Sequence, residues 1–439
     1  MKRKHIAILW YRNDLRTHDH EVLSSTNLVG VEQLLPIYCI DPRQFKPLHI
    51  GYPKTGAYRA SFLLESLQAL RKSLRTKGSN LYIAYGKPEK IIPQLAKQIG
   101  ASTIYAMKEV ADEEIRVEQK LEQSLDIPIS YYWGATLFHR DDLNFSLGQL
   151  PDIFTQFRKR VEKYSRIRQP LVCPNILPPF PKDIGIGADI SLETLGLSPF
   201  PISPKAAIQF KGGEQEALKR LEDYVWKRQL IATYKETRNG MLGESYSSKF
   251  SPWLANGSLS PRTIYHEVKT FEKQVKKNSS TYWLIFELIW RDYFRYVMLK
   301  YENRLFKRGG IYNKSISYQN SPSAFQSWIT GETHSSFVNA NMKELAQTGF
   351  MSNRGRQNVA SYLCKDLGVD WRWGASYFES MLIDYDVYSN WGNWAYVAGV
   401  GNDPRPNRYF NVEKQAARYD PEGTYVQHWL DDLALHLGK

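Results

Sequence analysis

In the stretch Met381-Leu382-Ile383-Asp384-Tyr385-Asp386-Val387-Tyr388-Ser389-Asn390-Trp391-Gly392-Asn393-Trp394, two carboxylates stand two residues apart and an amide follows four residues later. Large aromatics fill the gaps. The preceding Tyr377, Phe378, Met381 and Leu382 are apolar at helical spacing, which predicts a buried bend carrying Asp384, Asp386 and Asn390. Buried carboxylates and amides are costly unless hydrogen-bonded, so a ligand or an internal network has to satisfy them. A calcium loop of the EF-hand type needs Gly at its sixth position and Glu at its twelfth; Ser389 and Ala395 stand there instead. Two readings stay open from these residues: a structural polar network, and a cofactor that exchanges hydrogen bonds along one edge and stacks on aromatics.

Three other stretches could do chemistry. Ser245-Tyr246-Ser247-Ser248-Lys249-Phe250-Ser251-Pro252-Trp253 gathers four serine hydroxyls and a lysine ahead of a helical stretch. Hydroxyls, backbone N–H groups and a helix N-terminus together make an anion site, although such a cluster also serves as an ordinary cap or turn. In Phe286-Glu287-Leu288-Ile289-Trp290-Arg291-Asp292-Tyr293-Phe294-Arg295, Glu287 and Arg291 lie one helical turn apart and could pair. Their apolar helix, with Trp290 beside them, points to the wall of a cleft. Asn353-Arg354-Gly355-Arg356-Gln357-Asn358 is a further dense polar segment.

The elements that must position these residues fall into two kinds. His5–Tyr11, Leu34–Ile40, Leu81–Ala84, Thr103–Ala106 and Ile129–Trp133 read as strands. Thr55–Arg75, Pro88–Gln98 and Asp112–Ser124 read as the helices between them. This alternation predicts a doubly wound parallel α/β domain over 1–134. No Gly-x-Gly-x-x-Gly follows the first strand, so a dinucleotide in the usual Rossmann position is not expected. From Gly134 to about Pro204 periodicity fades and prolines accumulate, predicting a long connector over 135–205. From 206 to 439 the chain reads as an all-α domain, its clearer helices at 214–230, 261–276, 280–301, 323–329, 337–348, 354–367 and 374–383.

Composition sets the outer limits. The chain has 439 residues, more than one hydrophobic core usually organises. No apolar run approaches the roughly 18 residues of a membrane span. The segment Met1-Lys2-Arg3-Lys4-His5 is followed by neither an h-region nor a cleavage site, so no secretory signal and a cytoplasmic location are expected. Three cysteines far apart make no metal pair and no disulfide framework. A formal net charge of +13 favours polyanionic partners. Its 12 Trp, 28 Tyr and 19 Phe crowd the C-terminal half, mostly as core.

Asp384-x-Asp386-x-x-x-Asn390 followed by Gly392-Asn393-Trp394 resembles the flavin pocket of the photolyase/cryptochrome family. Ala398-Gly399-Val400-Gly401-Asn402-Asp403-Pro404-Arg405, and Trp133 to His139 with Asp141-Asp142-Leu143, resemble its DASH branch. The likeness spans nearly the whole chain. It implies FAD held by Tyr234, Ser247, Ser248, Ser251, Glu287, Arg291, Asn353, Arg356, Asp384, Asp386 and Asn390. It implies an antenna, methenyltetrahydrofolate, touched by Glu109, a residue that from its position alone is equally a solvated first-turn acid. It also implies that Glu287 hydrogen-bonds a damaged pyrimidine pair against which Trp290 packs, with Arg354 facing DNA phosphate. Trp394 and Trp371 fall where the family keeps its photoreduction chain. Tyr318 stands where a third Trp is usual, leaving Trp373 as another outer donor.

The chemistry so implied is light-driven electron transfer from reduced FAD to a cyclobutane pyrimidine dimer, the work of a carbon–carbon lyase. Relative to duplex-acting photolyases, Tyr396 replaces a lesion-stacking Trp and Gln357 a Met, which shifts the expected substrate toward dimers in single-stranded or looped DNA. Arg405 and Arg408 would add phosphate contacts. A monomer is expected. A blue-light receptor that signals without repairing is the rival function, and a basic nucleic-acid-binding protein with a vestigial pocket is the blander one.

Overall fold

A computed structural model of the chain describes residues 5–24, 28–201, 203–405 and 408–431. The residues Met1–Lys4 read for a leader, and the last residues of the 206–439 segment, lie outside them. Five parallel strands, β1 (Ile6–Tyr11), β2 (Gln33–Ile40), β3 (Tyr82–Tyr85), β4 (Thr103–Met107) and β5 (Ile129–Tyr132), form one sheet in the order β3-β2-β1-β4-β5. β1 is central and buried throughout, and its alternation serves two layers. Ala7, Leu9 and Tyr11 enter the core against α1 (Ala57–Thr76); Ile8 and Trp10 enter the core against α2 (Pro88–Ile99) and α3 (Asp112–Gln123). The order reverses between β1 and β4, so their C-terminal ends open a crevice.

The expected connector is not structureless. Its middle forms α4 (Phe154–Tyr164), which buries Phe154, Phe157 and Val161 in the core of the helical half. Only three apolar positions in eleven carry that face, and flanking prolines mask it. The buried carboxylate of Asp292 pins the connector's start by accepting from the N–H groups of Leu137 (2.9 Å) and Phe138 (2.8 Å).

Helices then follow through the described residues: α5 (Glu214–Glu222), α6 (Tyr234–Thr237), α7 (Ser251–Ala255), α8 (Pro261–Gln274), α9 (Ser279–Tyr301), α10 (Pro322–Thr330), α11 (Ser336–Thr348), α12 (Asn353–Ser361), α13 (Trp371–Met381), α14 (Val387–Ala398), α15 (Val412–Tyr419) and α16 (Thr424–Leu430). The 214–230 and 354–367 stretches read as single helices each pass into a π turn, at Asp223–Lys227 and Tyr362–Asp366. α9, the spine of this half, starts at a capping box in which Asn278 accepts from Ser280 and Thr281 N–H. The loop after β1 ties the halves together. Asp19 pairs with Arg262 at 2.6 Å, and Glu214 accepts from the N–H groups of Thr17 and His18, both at 2.9 Å. No helix among the described residues is long and apolar enough to cross a membrane.

Candidate functional site

A cavity of about 450 Å³ opens in the helical half, walled by α6, the serine-rich segment, α9, α12, the α13–α14 bend and α14. The bend is where the sequence places it: α13 ends at Met381 and α14 begins at Val387. Asp384 is buried and accepts both contacts from one Arg356 Nη, at 3.0 and 2.8 Å; Arg356 Nε donates to Met351 O. Asp386 caps α14 by accepting from Ser389 N–H at 2.9 Å. Asn390 donates through Nδ2 to Ala375 O at 3.0 Å, which leaves its Oδ1 without a protein donor in the cavity wall. The polar bend is thus partly a structural network and partly a surface offered to a ligand. Among the described residues no cluster of acidic, His or Cys side chains could hold a metal.

Ser247, Ser248 and Ser251 line the same cavity with Tyr234, Asn353 and Lys249. Lys249, part of the serine-rich motif but not singled out from the sequence, is 3% exposed, and its Nζ has no hydrogen-bond partner. Burial lowers its pKa to about 7, with Arg220 and Arg356 adding to the effect and Glu344 opposing it. Such a lysine is prepared to regain its charge beside an anion.

Toward the opening, Glu287 and Arg291 do not pair with each other. Glu287 pairs with Arg238, a residue the sequence reading missed. Burial raises the Glu287 carboxyl above its ordinary value, and Arg238 partly opposes this. Arg291 turns away, donating to Ala135 O, to Leu254 O (3.0 Å) and to Tyr388 OH (3.0 Å), with Asp386 at 3.7 Å. Trp290 lines the cavity with one face covered by Phe154 of α4, ring centroids 3.6 Å apart, and Tyr396 meets it edge-on at 5.9 Å. Arg354 donates to Gln357 (2.8 Å) and Asn239 (2.9 Å) and lies over Tyr419. Arg408 bonds Tyr396 OH at 2.8 Å and pairs with Asp403; Arg405 is exposed beside it.

Comparisons with known proteins show the chain's family. Residues 283–437 match the family model described as the FAD binding domain of DNA photolyase, and residues 7–179 match the one described as DNA photolyase. A protein called cryptochrome DASH, from Synechocystis sp., is 52% identical over 98% of this chain and 89% of its own length. The chain belongs to the DASH branch of the photolyase/cryptochrome family. The crystal structure of a Synechocystis cryptochrome superposes with a TM-score of 0.94 at 52% identity, covering 98% of this chain and 89% of that one. A bacterial class III photolyase from Agrobacterium tumefaciens superposes with a TM-score of 0.83 at 27% identity, covering 98% and 87%.

FAD is therefore the cofactor, and the residues present fit it. The orphaned Lys249 Nζ and the serine hydroxyls suit its pyrophosphate, and the free Oδ1 of Asn390 can accept from a flavin ring N–H. A second, light-harvesting chromophore is a feature of the family, with which a folate accords. A second cavity of about 490 Å³ lies at the crevice between β1 and β4, lined by Trp10, Arg12, Asn13, Glu109 and Arg295. Glu109 is 3% exposed, accepts from Asn13 at 3.0 Å and pairs with Arg295 at 3.2 Å, so it is not a solvated helix acid. Arg291, Tyr385 and Asp386 line both cavities.

Of the aromatics expected to carry electrons, Trp394 lines the first cavity, while Trp371 is fully buried and meets Trp391 edge-on at 5.7 Å. Trp394 is seated by Gly374 of α13: a Cβ there would come within 2.2 Å of its Cη2. Arg308 touches both Trp371 and Tyr318. Its carbonyl accepts from Trp371 Nε1 at 3.1 Å and its guanidinium lies over the Tyr318 ring. The Tyr318 hydroxyl is buried without a partner, and Trp373 packs edge-on to Phe325 at 5.2 Å.

Proposed function

We propose that this protein is a photolyase for cyclobutane pyrimidine dimers, acting on single-stranded or locally opened DNA. The observation that carries the reading is the continuity of one cavity. Asn390, Asp384 and Arg356 line it together with Glu287, Trp290 and Tyr396, so a base entering beside Trp290 shares a chamber with the flavin. FAD, when bound, supplies one-electron transfer on illumination. The protein's own residues do the rest. Asn390 presents an acceptor, Glu287 a hydrogen-bonding group for the pyrimidine edge, and Trp290, held by Phe154, a flat apolar surface. Trp394, Trp371 and Tyr318 line a route for electrons to reach the flavin from outside. Arg354, Arg405 and Arg408, with Gln357, border the approach of a polyanion. Glu109 belongs to the site proposed for the folate antenna.

The single-strand preference follows from what the opening lacks. Tyr396 offers Trp290 only an edge and spends its hydroxyl on Arg408, while Gln357 is held by Arg354. Little apolar surface is left to offset the few kcal/mol that flipping from a duplex costs. The test is light-dependent repair of one dimer-bearing oligonucleotide in single-stranded, bubble and fully paired forms at fixed salt. Fast repair of the first two and little of the third is expected. Equal rates would overturn the flipping argument. A second reading, blue-light reception without repair, is favoured by the name cryptochrome among the relatives. Absence of repair on every form would overturn the photolyase reading and move it to the photoreceptor.

A further inference from the structure

Three carboxylates line the flavin cavity. Asp384 is committed to Arg356 and Asp386 to the cap of α14, whereas Glu287 has a single partner, Arg238 at the end of α6. Among the described residues the cavity's other arginines are engaged elsewhere, and Lys249, whose Nζ has no hydrogen bond, lies over the Tyr246 and Phe350 rings. On Glu287's own helix Arg291 points to backbone carbonyls, Tyr388 and Asp386. On α12, Arg354 is held by Gln357, Asn239 and the Tyr419 ring, and its charge repels Arg238. Beyond α14, Arg408 is tied to Asp403. α14 itself brings Ser389, Asn390, Asn393, Trp394, Tyr396 and Val397 to the lining, none of them charged, and α6 adds the neutral phenol of Tyr234. Among the described residues Arg238 is thus the cation paired with Glu287, and it opposes the effect of burial on that carboxyl. It is partly exposed, the position from which a guanidinium can be drawn onto phosphate.

We infer that a DNA strand entering this opening takes Arg238 from Glu287 onto a backbone phosphate, and that Glu287 responds by taking up a proton from solvent. The physical reason is the asymmetry of the pair. The phosphate supplies Arg238 with a bidentate partner, while nothing replaces Arg238 for a carboxylate that the incoming base desolvates further. Burial already holds this carboxyl above its ordinary value with Arg238 in place. The protonated form also gains a capacity that the carboxylate lacks: its O–H can donate to a pyrimidine carbonyl oxygen, where an anion would be repelled. Arg238 is in this sense a positioning residue that sets the protonation state of Glu287 according to whether a strand is present. The inference rests on the DNA reading above.

The test is calorimetry in the dark on the FAD-loaded protein at about pH 7, where ordinary carboxyls are ionised. A single-stranded oligonucleotide with one dimer is titrated in Mops and in Tris, whose ionisation enthalpies differ. Uptake approaching ~1 proton per complex is expected for the parent, and none for Glu287→Gln. Arg238→Gln should bind more weakly and take up less, because Glu287 then lacks the cation that opposes its protonation before DNA arrives. A protonated-carboxyl infrared band should appear on binding in the parent and be missing in Glu287→Gln. Binding with no buffer dependence would overturn the inference while leaving DNA binding intact. Buffer dependence surviving in Glu287→Gln would overturn it as well. Failure to bind the oligonucleotide at all would overturn the DNA reading and this inference together.

Discussion

Replacing Lys249 by Met separates a lysine that binds an anion from one that is merely buried. The drop in its pKa from 10.5 to about 7 corresponds to about 5 kcal/mol, at about 1.36 kcal/mol per pH unit. The sign is that of a cation penalised by burial. The cost is absent above about pH 10.5, where both folded and unfolded chains are neutral, and is complete below about 7. An anion that restores the charge therefore requires a proton at any pH above about 7. FAD affinity should fall about tenfold per pH unit above that point, or ~100-fold between pH 7 and 9. The charged groups facing Lys249 are Glu344 on α11, Arg356 on α12, Arg220 on α5 and Glu244. Glu344 is itself raised to about 7 by burial, against the Tyr425 hydroxyl, Lys249 and Arg356. Glu344→Gln should therefore shift where the decline begins without removing it. The assay is fluorescence titration of FAD with flavin-free protein at pH 7, 8 and 9. Lys249→Met should give a flat profile, and an equal slope in parent and variant would refute the reasoning.

Trp394→Phe should slow flavin photoreduction at least ~10-fold, read as the decay of oxidised flavin absorbance under light and thiol, since each ~1.4 kcal/mol of added barrier costs a factor of ten. Gly374→Ala should destabilise by about 1–3 kcal/mol in denaturant melts, because its Cβ would meet Trp394 Cη2 at 2.2 Å and Leu363 Cδ2 at 2.6 Å. Asn390→Ala removes the acceptor in the cavity wall and the bond to Ala375, so the flavin redox potential should move while the fold persists; an unchanged titration would take Asn390 out of the site. Burial raises Glu214, but the hydrogen bond and charge of His18 and the N–H groups of His18 and Thr17 outweigh it and lower the carboxyl to about 2. It therefore contributes about 3 kcal/mol above its ordinary value, lost as pH falls from about 4.5 through about 2. Glu214→Gln should flatten that part of the acid-denaturation curve.

The sheet was legible because its strands are buried on both sides and read as unbroken apolar runs between turns, as in Ile6–Tyr11. The bend at 382–386 was legible because an apolar helix breaks into alternating acids, which few other arrangements satisfy. α4 was harder: Phe154, Phe157 and Val161 keep helical spacing, yet Arg and Lys occupy most of the remaining turns. That spacing was the available signal. Arg238 carried none, being a single cation at the end of a four-residue helix whose partner lies 49 positions away. Nor does a sequence show which way an amide points, so the free Oδ1 of Asn390 could emerge only from the structure. The same holds for Glu109: one acid before a helix reads as solvated until the opposite half of the molecule supplies Arg295.

The shared wall of the two cavities bears on how light energy travels. Arg291 lies on α9, and Tyr385 and Asp386 lie in the α13–α14 bend; these three belong to both linings. Ligands in the two cavities would rest against the same three side chains, one aromatic ring, one guanidinium and one carboxylate. The far side of the second cavity is built from the sheet half, at Trp10, Arg12 and Asn13, so the angle between the transition dipoles of two bound chromophores would depend on how the two halves pack against each other. The coupling between collector and reaction centre would thus be a property of the packing of the two halves, held by pairs such as Asp19–Arg262 and Glu109–Arg295.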